Sequence, residues 1–208
     1  MKLFVHFCAF GFSNCYILCT ERAETPASSE AIIIDPGGID ERIINRIEEN
    51  EYALKGILVT HGHLNHVHGI ATLKRIYNTE IYAISPVIQE YKTIPIRDGE
   101  IVSIGSFRIE VIAAPGHSAD SAVFKIGSLL FTGDTLSAGL VGTTASVYGA
   151  ANQMTALRGK ILSQPGYHAI LPGHGPPTSL EAELRFNAGI NTYDDYKSQR
   201  SRFILELD

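Results

Sequence analysis

The sequence predicts an α/β chain of the α+β kind, folded as a four-layer αββα sandwich in which two β-sheets pack face to face with helices outside. Three observations carry that expectation. Short apolar runs alternate with amphipathic helical patterns through the first half, and strand-like runs follow one another across Gly, Ser or Pro turns in the second. Four separate strand ends place a glycine beside a polar side chain able to bind a metal. Segments of this kind bury their apolar faces by stacking in layers around a shared core. With 208 residues, 45% hydrophobic and 19% charged, the chain is expected to form one domain over residues 1–208.

Taken in order, runs at about 2–9 and 15–21 read as a strand pair, and the polar stretch from Glu24 to Glu30 as a loop. Ala31-Ile32-Ile33-Ile34-Asp35 is a buried strand that stops at Pro36-Gly37-Gly38. From Ile39 to Asn50, Ile43, Ile44 and Ile47 recur at helical spacing between charged residues, which makes an amphipathic helix. A strand over 56–60 follows, then a histidine-rich loop, then a helix over 67–77 with Ile70, Leu73 and Ile76 on one face. The second half carries strands at 101–104, 107–113, 122–126 and 129–133, with Gly105-Ser106 and Gly127-Ser128 as hairpin turns. A helix over 152–163, a strand over 168–171 and a helix over 179–189 close the pattern, and residues 190–208 read as a helical extension.

The net charge of −5 offers no basic footprint for nucleic acid or an anionic membrane, so a small-molecule substrate is the expected partner. Cys8, Cys15 and Cys19, an odd number within the first twenty residues, make a poor disulfide framework and read as reduced thiols of a cytoplasmic protein. Lys2 and the apolar residues after it stop short of a signal peptide, because His6 interrupts them and no small-x-small site follows. No run reaches the eighteen or so apolar residues that cross a bilayer.

The chemistry concentrates in Thr60-His61-Gly62-His63-Leu64-Asn65-His66-Val67-His68-Gly69, which holds half of the eight histidines of the chain directly after an apolar strand. Neutral imidazole is the commonest ligand for zinc and related ions, and a strand end aims such rings rigidly. Three further strand ends match it: Pro115-Gly116-His117, Thr132-Gly133-Asp134 and Pro172-Gly173-His174. Each glycine lets the chain turn so that the next side chain points into a common cleft. Together the four stretches supply the donor set of a two-metal hydrolytic site.

These motifs resemble the metallo-β-lactamase-fold hydrolases, and among them the short proteins similar to glyoxalase II (hydroxyacylglutathione hydrolase). The resemblance runs from Asn14-Cys15-Tyr16 through Ile34-Asp35-Pro36-Gly37, the histidine loop, Pro115-Gly116-His117, Phe131-Thr132-Gly133-Asp134-Thr135 and Pro172-Gly173-His174-Gly175, covering about residues 3–188. It implies that His61, His63 and His117 hold a first divalent ion, that His66 and His174 help hold a second, and that Asp134 bridges the two. Zinc is the expected metal, with iron and manganese as alternatives for a mixed His and Asp set. The implied reaction is hydrolysis of a thioester or similar acyl compound by a metal-activated hydroxide.

Two departures stand out. The family motif HxHxDH reads here with Asn65 in place of the aspartate, which removes a charge and a hard ligand and implies a weak or empty second site with lowered activity. His68 follows as an extra ligand or a substrate contact, at the first turn of the next helix. The Gly-Arg-Thr-Asp segment of close glyoxalase II relatives is replaced by Gly142-Thr143-Thr144-Ala145, which puts glutathione as the substrate in question. Two other functions fit the same residues: a mononuclear iron oxygenase resembling persulfide dioxygenases, using His61, His63 or His117, and Asp134, or an impaired binding protein of the same fold. Asp35 reads either as an orienting partner of a ligand histidine or as a turn former. Cys15, His6 and His168 read as structural. Tyr148, Tyr193, Asn187 and Lys197 are candidates for the substrate cleft, and Tyr193 and Tyr196 equally for packing or the surface of a homo-oligomer.

Overall fold

The computed structural model describes residues 1–21 and 29–191. Its first sheet has the order β1-β2-β3-β4-β5-β8, built from β1 (Lys2–Cys8), β2 (Ser13–Cys19), β3 (Glu30–Ile34), β4 (Ala53–Leu58), β5 (Glu80–Ala83) and β8 (Ile94–Pro95). A small hairpin of β6 (Val87–Ile88) and β7 (Tyr91–Lys92) sits before β8. The second sheet is formed by β9 (Ile101–Ile104), β10 (Phe107–Ala113), β11 (Ala122–Ile126), β12 (Leu129–Gly133), β15 (Ala169–Pro172) and β16 (Thr178–Ser179), ordered β16-β15-β12-β11-β10-β9. Between β12 and β15 lie the two-residue strands β13 (Leu136–Ser137) and β14 (Leu140–Val141). The sheets are mixed: the hairpins are antiparallel, while β3 with β4, β4 with β5 and β12 with β15 run parallel.

The layers follow from side-chain alternation. Along β3, Ile32 and Ile34 point between the sheets, where they meet Tyr16, Leu58, Phe124 and Phe131, while Ala31 and Ile33 point outward. The outward set is covered by Ile43 and Ile47 of helix α1 (Glu41–Glu48) and by Ile70 and Leu73 of α3 (Ile70–Ile76), α2 being the single turn Leu64–Val67. On the far side, Ile112, Val123, Leu130 and Ile170 pack under α4 (Val147–Ala156), the π-helical turn Leu157–Ile161 that continues it, and α5 (Leu180–Phe186). Each isoleucine buried in this way contributes about 1.5–3 kcal/mol. The expected αββα sandwich is therefore the observed fold. No helix among the described residues is long and apolar enough to cross a membrane.

Several boundaries differ from the sequence reading. The histidine loop contains the helical turn α2, and the helix expected over 67–77 starts only at Ile70. Helix α4 begins at Val147 rather than 152, because Ser146 caps it by accepting from the Gly149 N–H. Strand β5 went unforeseen. All but the first two residues of the extension expected over 190–208 lie outside the described residues, as does most of the loop from Glu24 to Glu30.

Candidate metal centre

All four glycine-bearing strand ends open on the same edge of the sandwich. His61, His63 and His66 leave the first sheet after β4, and His117, Asp134 and His174 leave the second after β10, β12 and β15. Their donor atoms form two groups, His61, His63, His117 and Asp134 in one and His66, Asp134 and His174 in the other, with all atoms of a group within 4.8 Å of one another. In the first, His63 Nδ1 is 2.9 Å from His61 Nε2 and 3.0 Å from His117 Nε2. Asp134 Oδ2 is 3.8 Å from His61 Nε2 and 3.5 Å from His117 Nε2. Donors bonded to zinc at about 2.0–2.1 Å stand about 3.3 Å apart in a tetrahedron, so these spacings suit such an ion. In the second group Asp134 Oδ1 lies 3.3 Å from His66 Nε2, and Oδ2 lies 3.5 Å from His174 Nε2.

Outer partners set which ring nitrogen faces inward. Asp35 takes the Thr60 N–H at 2.8 Å and the Thr60 hydroxyl at 2.7 Å, so the Thr60 oxygen is left to accept from His61 Nδ1 at 3.1 Å. His117 Nδ1 donates to the Thr143 carbonyl at 2.8 Å, and His174 Nδ1 to the Phe12 carbonyl at 2.9 Å. All three rings thereby turn the lone pair of Nε2 into the site, the form a metal needs. Burial, reinforced by the neighbouring His66, pushes the His61 imidazole down to about 4, which keeps it neutral at neutral pH. Burial alone would lower His66 too, but it sits between Asp134 and Asp35 and is raised to about 10. Burial works to raise Asp134, and His66 overrides it and holds the carboxyl at about 2.

The donor set fits a cation on an independent ground. His66 Nδ1 and Nε2 and Asp134 Oδ1 are buried without a hydrogen-bond partner among the described residues, their mutual contacts falling outside hydrogen-bond geometry. Buried polar atoms left unpaired are costly, and a cation beside His66 Nε2 and Asp134 Oδ1 would supply what those two lack, His66 Nδ1 facing Asp35 instead.

The remaining sequence candidates separate cleanly. Asn65 lies beside the second group, its side-chain nitrogen 2.9 Å from His174 Nε2. His68 is exposed, belongs to neither group and stacks on the Phe10 ring at 4.5 Å between centroids. It follows α2 as that turn's C-cap instead of opening the next helix. Asp35 lies 3.3 Å from His66 Nδ1 and reaches His61 through the Thr60 hydroxyl, and it is also the residue of positive φ at the turn, so both readings of it meet in one residue. Asn187 is a correction: it is fully buried and donates to Glu183, so it lines no cleft. Tyr148 is 77% exposed, and Tyr193, Tyr196 and Lys197 fall outside the described residues. Cys8, Cys15 and Cys19 are free and buried.

Supporting residues escaped the sequence reading. Asn14 donates to the carbonyls of Pro172 and Gly175, and the Tyr16 hydroxyl donates to Pro172 at 2.6 Å, so β2 clamps the His174 loop. Asp120 accepts from the Gly62 N–H and ties the histidine loop to the His117 loop. Gln153 donates to the carbonyls of Thr135 and Gly142, next to the Thr143 carbonyl that orients His117. The signal available for Asn14 was a polar side chain opening the apolar run Cys15–Cys19, whereas Gln153, between Asn152 and Met154 and near Thr155, carried none.

Fold, motif order and donor geometry define a class. The chain belongs to the metallo-beta-lactamase superfamily, whose pattern residues 8–94 match. It is 33% identical over 188 residues to the hydroxyacylglutathione hydrolase GloC of Haemophilus influenzae, covering 78% of this chain and 88% of that one. It is 30% identical over 185 residues to BaeB of Bacillus velezensis, described as a probable polyketide biosynthesis zinc-dependent hydrolase, covering 83% and 79%. Among solved structures, ETHE1 from Myxococcus xanthus superposes with a TM-score of 0.77 at 25% identity, covering 90% of this chain and 84% of that one.

Proposed function

We propose that this chain is a single-domain, cytoplasmic metallohydrolase that cleaves a thioester or similar activated acyl compound of small size. The observation that carries the reading is the convergence of histidine nitrogens from three loops on Asp134 of a fourth, with the donors of the first group, His61, His63, His117 and Asp134, all within 4.8 Å of one another. Two relatives named as hydrolases, one of them zinc-dependent, support hydrolysis and zinc. His61, His63, His117 and Asp134 are assigned as ligands of one divalent ion, and His66 and His174 as further ligands beside Asp134. A bound ion of this kind lowers the pKa of its water from about 15.7 to near 7 and polarises an adjacent carbonyl. The protein's own part is to aim the rings of His61, His117 and His174, through Thr60, Thr143 and Phe12, to keep His61 neutral by burial, and to keep a carboxylate ionised at Asp134. Beside the site, Phe7, Phe10, Phe12 and Leu64 are exposed and offer an apolar wall to the acyl part of a substrate. A protein retaining the fold for binding alone has no use for the four donors that converge in the first group.

The test is metal content of the purified chain together with a thioester-hydrolysis assay before and after chelation. Activity that disappears with the metal and returns with zinc supports the reading; a metal-loaded chain without thioesterase activity sinks it. The completeness of the first group without Asn65 favours one second reading, an iron oxygenase resembling persulfide dioxygenases. One equivalent of iron and oxygen uptake would identify it.

A further inference from the structure

We propose that Asn65 is a lock on the second ligand group: its amide N–H occupies the lone pair of His174, so the chain takes one divalent ion tightly, at His61, His63, His117 and Asp134. The inference rests on the metallohydrolase reading above and goes beyond it by assigning the stoichiometry to a particular hydrogen bond.

The protons around His174 are fixed by its neighbours. The Phe12 carbonyl, 2.9 Å from Nδ1, can only accept, so in the neutral ring the proton is on Nδ1 and the lone pair on Nε2. Nε2 in turn lies 2.9 Å from the Asn65 side-chain nitrogen. A lone pair needs a donor opposite it, so the amide nitrogen, and not the oxygen, must face His174. An ionised aspartate could not make this bond. It would set oxygen lone pairs against the nitrogen lone pair, an arrangement that a cation between them relieves. Asparagine therefore does more than omit a ligand, because it supplies a donor in the place of the ion.

Asn65 is also held where it is. Ser13 donates to its backbone carbonyl at 2.5 Å, and it sits in the helical turn that follows His63. A Cβ on Gly11 would overlap the Asn65 Cβ, and one on Gly37 would overlap its carbonyl oxygen, so the surrounding backbone closes on it from two sides. In the first group the short contacts run between candidate ligands, His63 Nδ1 lying 2.9 Å from His61 Nε2 and 3.0 Å from His117 Nε2, with no amide donor set against them among the described residues. Among the described residues, His61 and His117 spend Nδ1 on outward partners and turn Nε2 toward His63 and Asp134.

Zinc titration of the metal-free, full-length chain tests this, with elemental analysis for stoichiometry and competition against a chromophoric chelator for the affinity of each step. The variants are Asn65→Ala, which removes the donor without adding a ligand, and Asn65→Asp, which adds one. We expect one tight zinc in the unmodified chain. A second step should be strengthened about tenfold by Asn65→Ala, as loss of a competing hydrogen bond predicts, and further by Asn65→Asp. A second step equal or weaker in Asn65→Ala would overturn the lock, since Asn65 would then be acting as a ligand through its oxygen. Should Asn65→Ala not fold, a second step unchanged in the near-isosteric Asn65→Asp overturns it equally. Two tight zincs in the unmodified chain overturn the lock and leave the metallohydrolase reading standing, whereas no zinc in any variant overturns that reading and the lock with it.

Discussion

Two buried residues and one exposed one show how unequal the polar side chains around this centre are. Asp35 is buried and accepts both the N–H and the hydroxyl of Thr60 while lying against His66. Removing it leaves the Thr60 N–H and hydroxyl without their acceptor and takes away the carboxylate that lies 3.3 Å from the buried His66 ring. Asp35→Ala should destabilise the chain by about 3–5 kcal/mol, the cost of breaking a buried charged pair, as read from urea unfolding. It should also weaken metal binding about 10- to 100-fold, as loss of an orienting partner does. His68, two residues past a candidate ligand, has none of this connectivity. Its ring stacks on Phe10 in solvent, so His68→Ala should leave metal content unchanged while raising KM for an acyl substrate that uses the Phe10 wall. A fall in bound metal in that variant would return His68 to the ligand set.

At the scale of elements, the loops that carry ligands are tied down by neighbours from other elements. Gln153 of α4 is fully buried and bridges the carbonyls of Thr135 and Gly142, one residue from the carbonyl that receives His117. Gln153→Leu keeps the volume and removes the donors, so it should cost about 1–3 kcal/mol for the stranded carbonyls. It should also lower metal affinity about tenfold through His117; unchanged affinity with lowered stability would make Gln153 a purely structural residue. Which elements were legible in the sequence follows from their signals. Strands β9 to β12 were read with correct ends because Gly105 and Gly127, both at positive φ, mark the turns between them. The turn α2 was hidden because four residues cannot express a helical period. Strand β5 was hidden because Glu80-Ile81-Tyr82-Ala83 is short and bounded by no glycine. The clustering of His61, His63, His66, His117, Asp134 and His174 was legible because each stands at or just after a strand end that carries a glycine. Their supports were not, since Asn14 and Gln153 meet the site only through long-range contacts, 158 positions away in the case of Asn14 and Pro172.

For the molecule as a whole, the candidate ligands are divided between the sheets, with His61, His63 and His66 following the first and His117, Asp134 and His174 following the second. An ion bound to the folded chain alone, at a free concentration about 100-fold above its dissociation constant, adds about 2.7 kcal/mol. For a chain of this size that corresponds to about 5–10 °C in the melting temperature. Chelation should therefore lower the melting point by this amount, and scanning calorimetry with and without chelator would measure it; an unchanged melting point would mean that no ion spans the sheets. The division of ligands between the two layers has a kinetic side as well. An ion so placed is a rivet, and the halves of the sandwich cannot part until it is drawn. Contacts completed only when both halves have docked slow unfolding and leave folding nearly untouched. The lifetime of the folded state should thus lengthen with free zinc while the refolding rate stays constant, making the persistence of this protein a gauge of the metal around it.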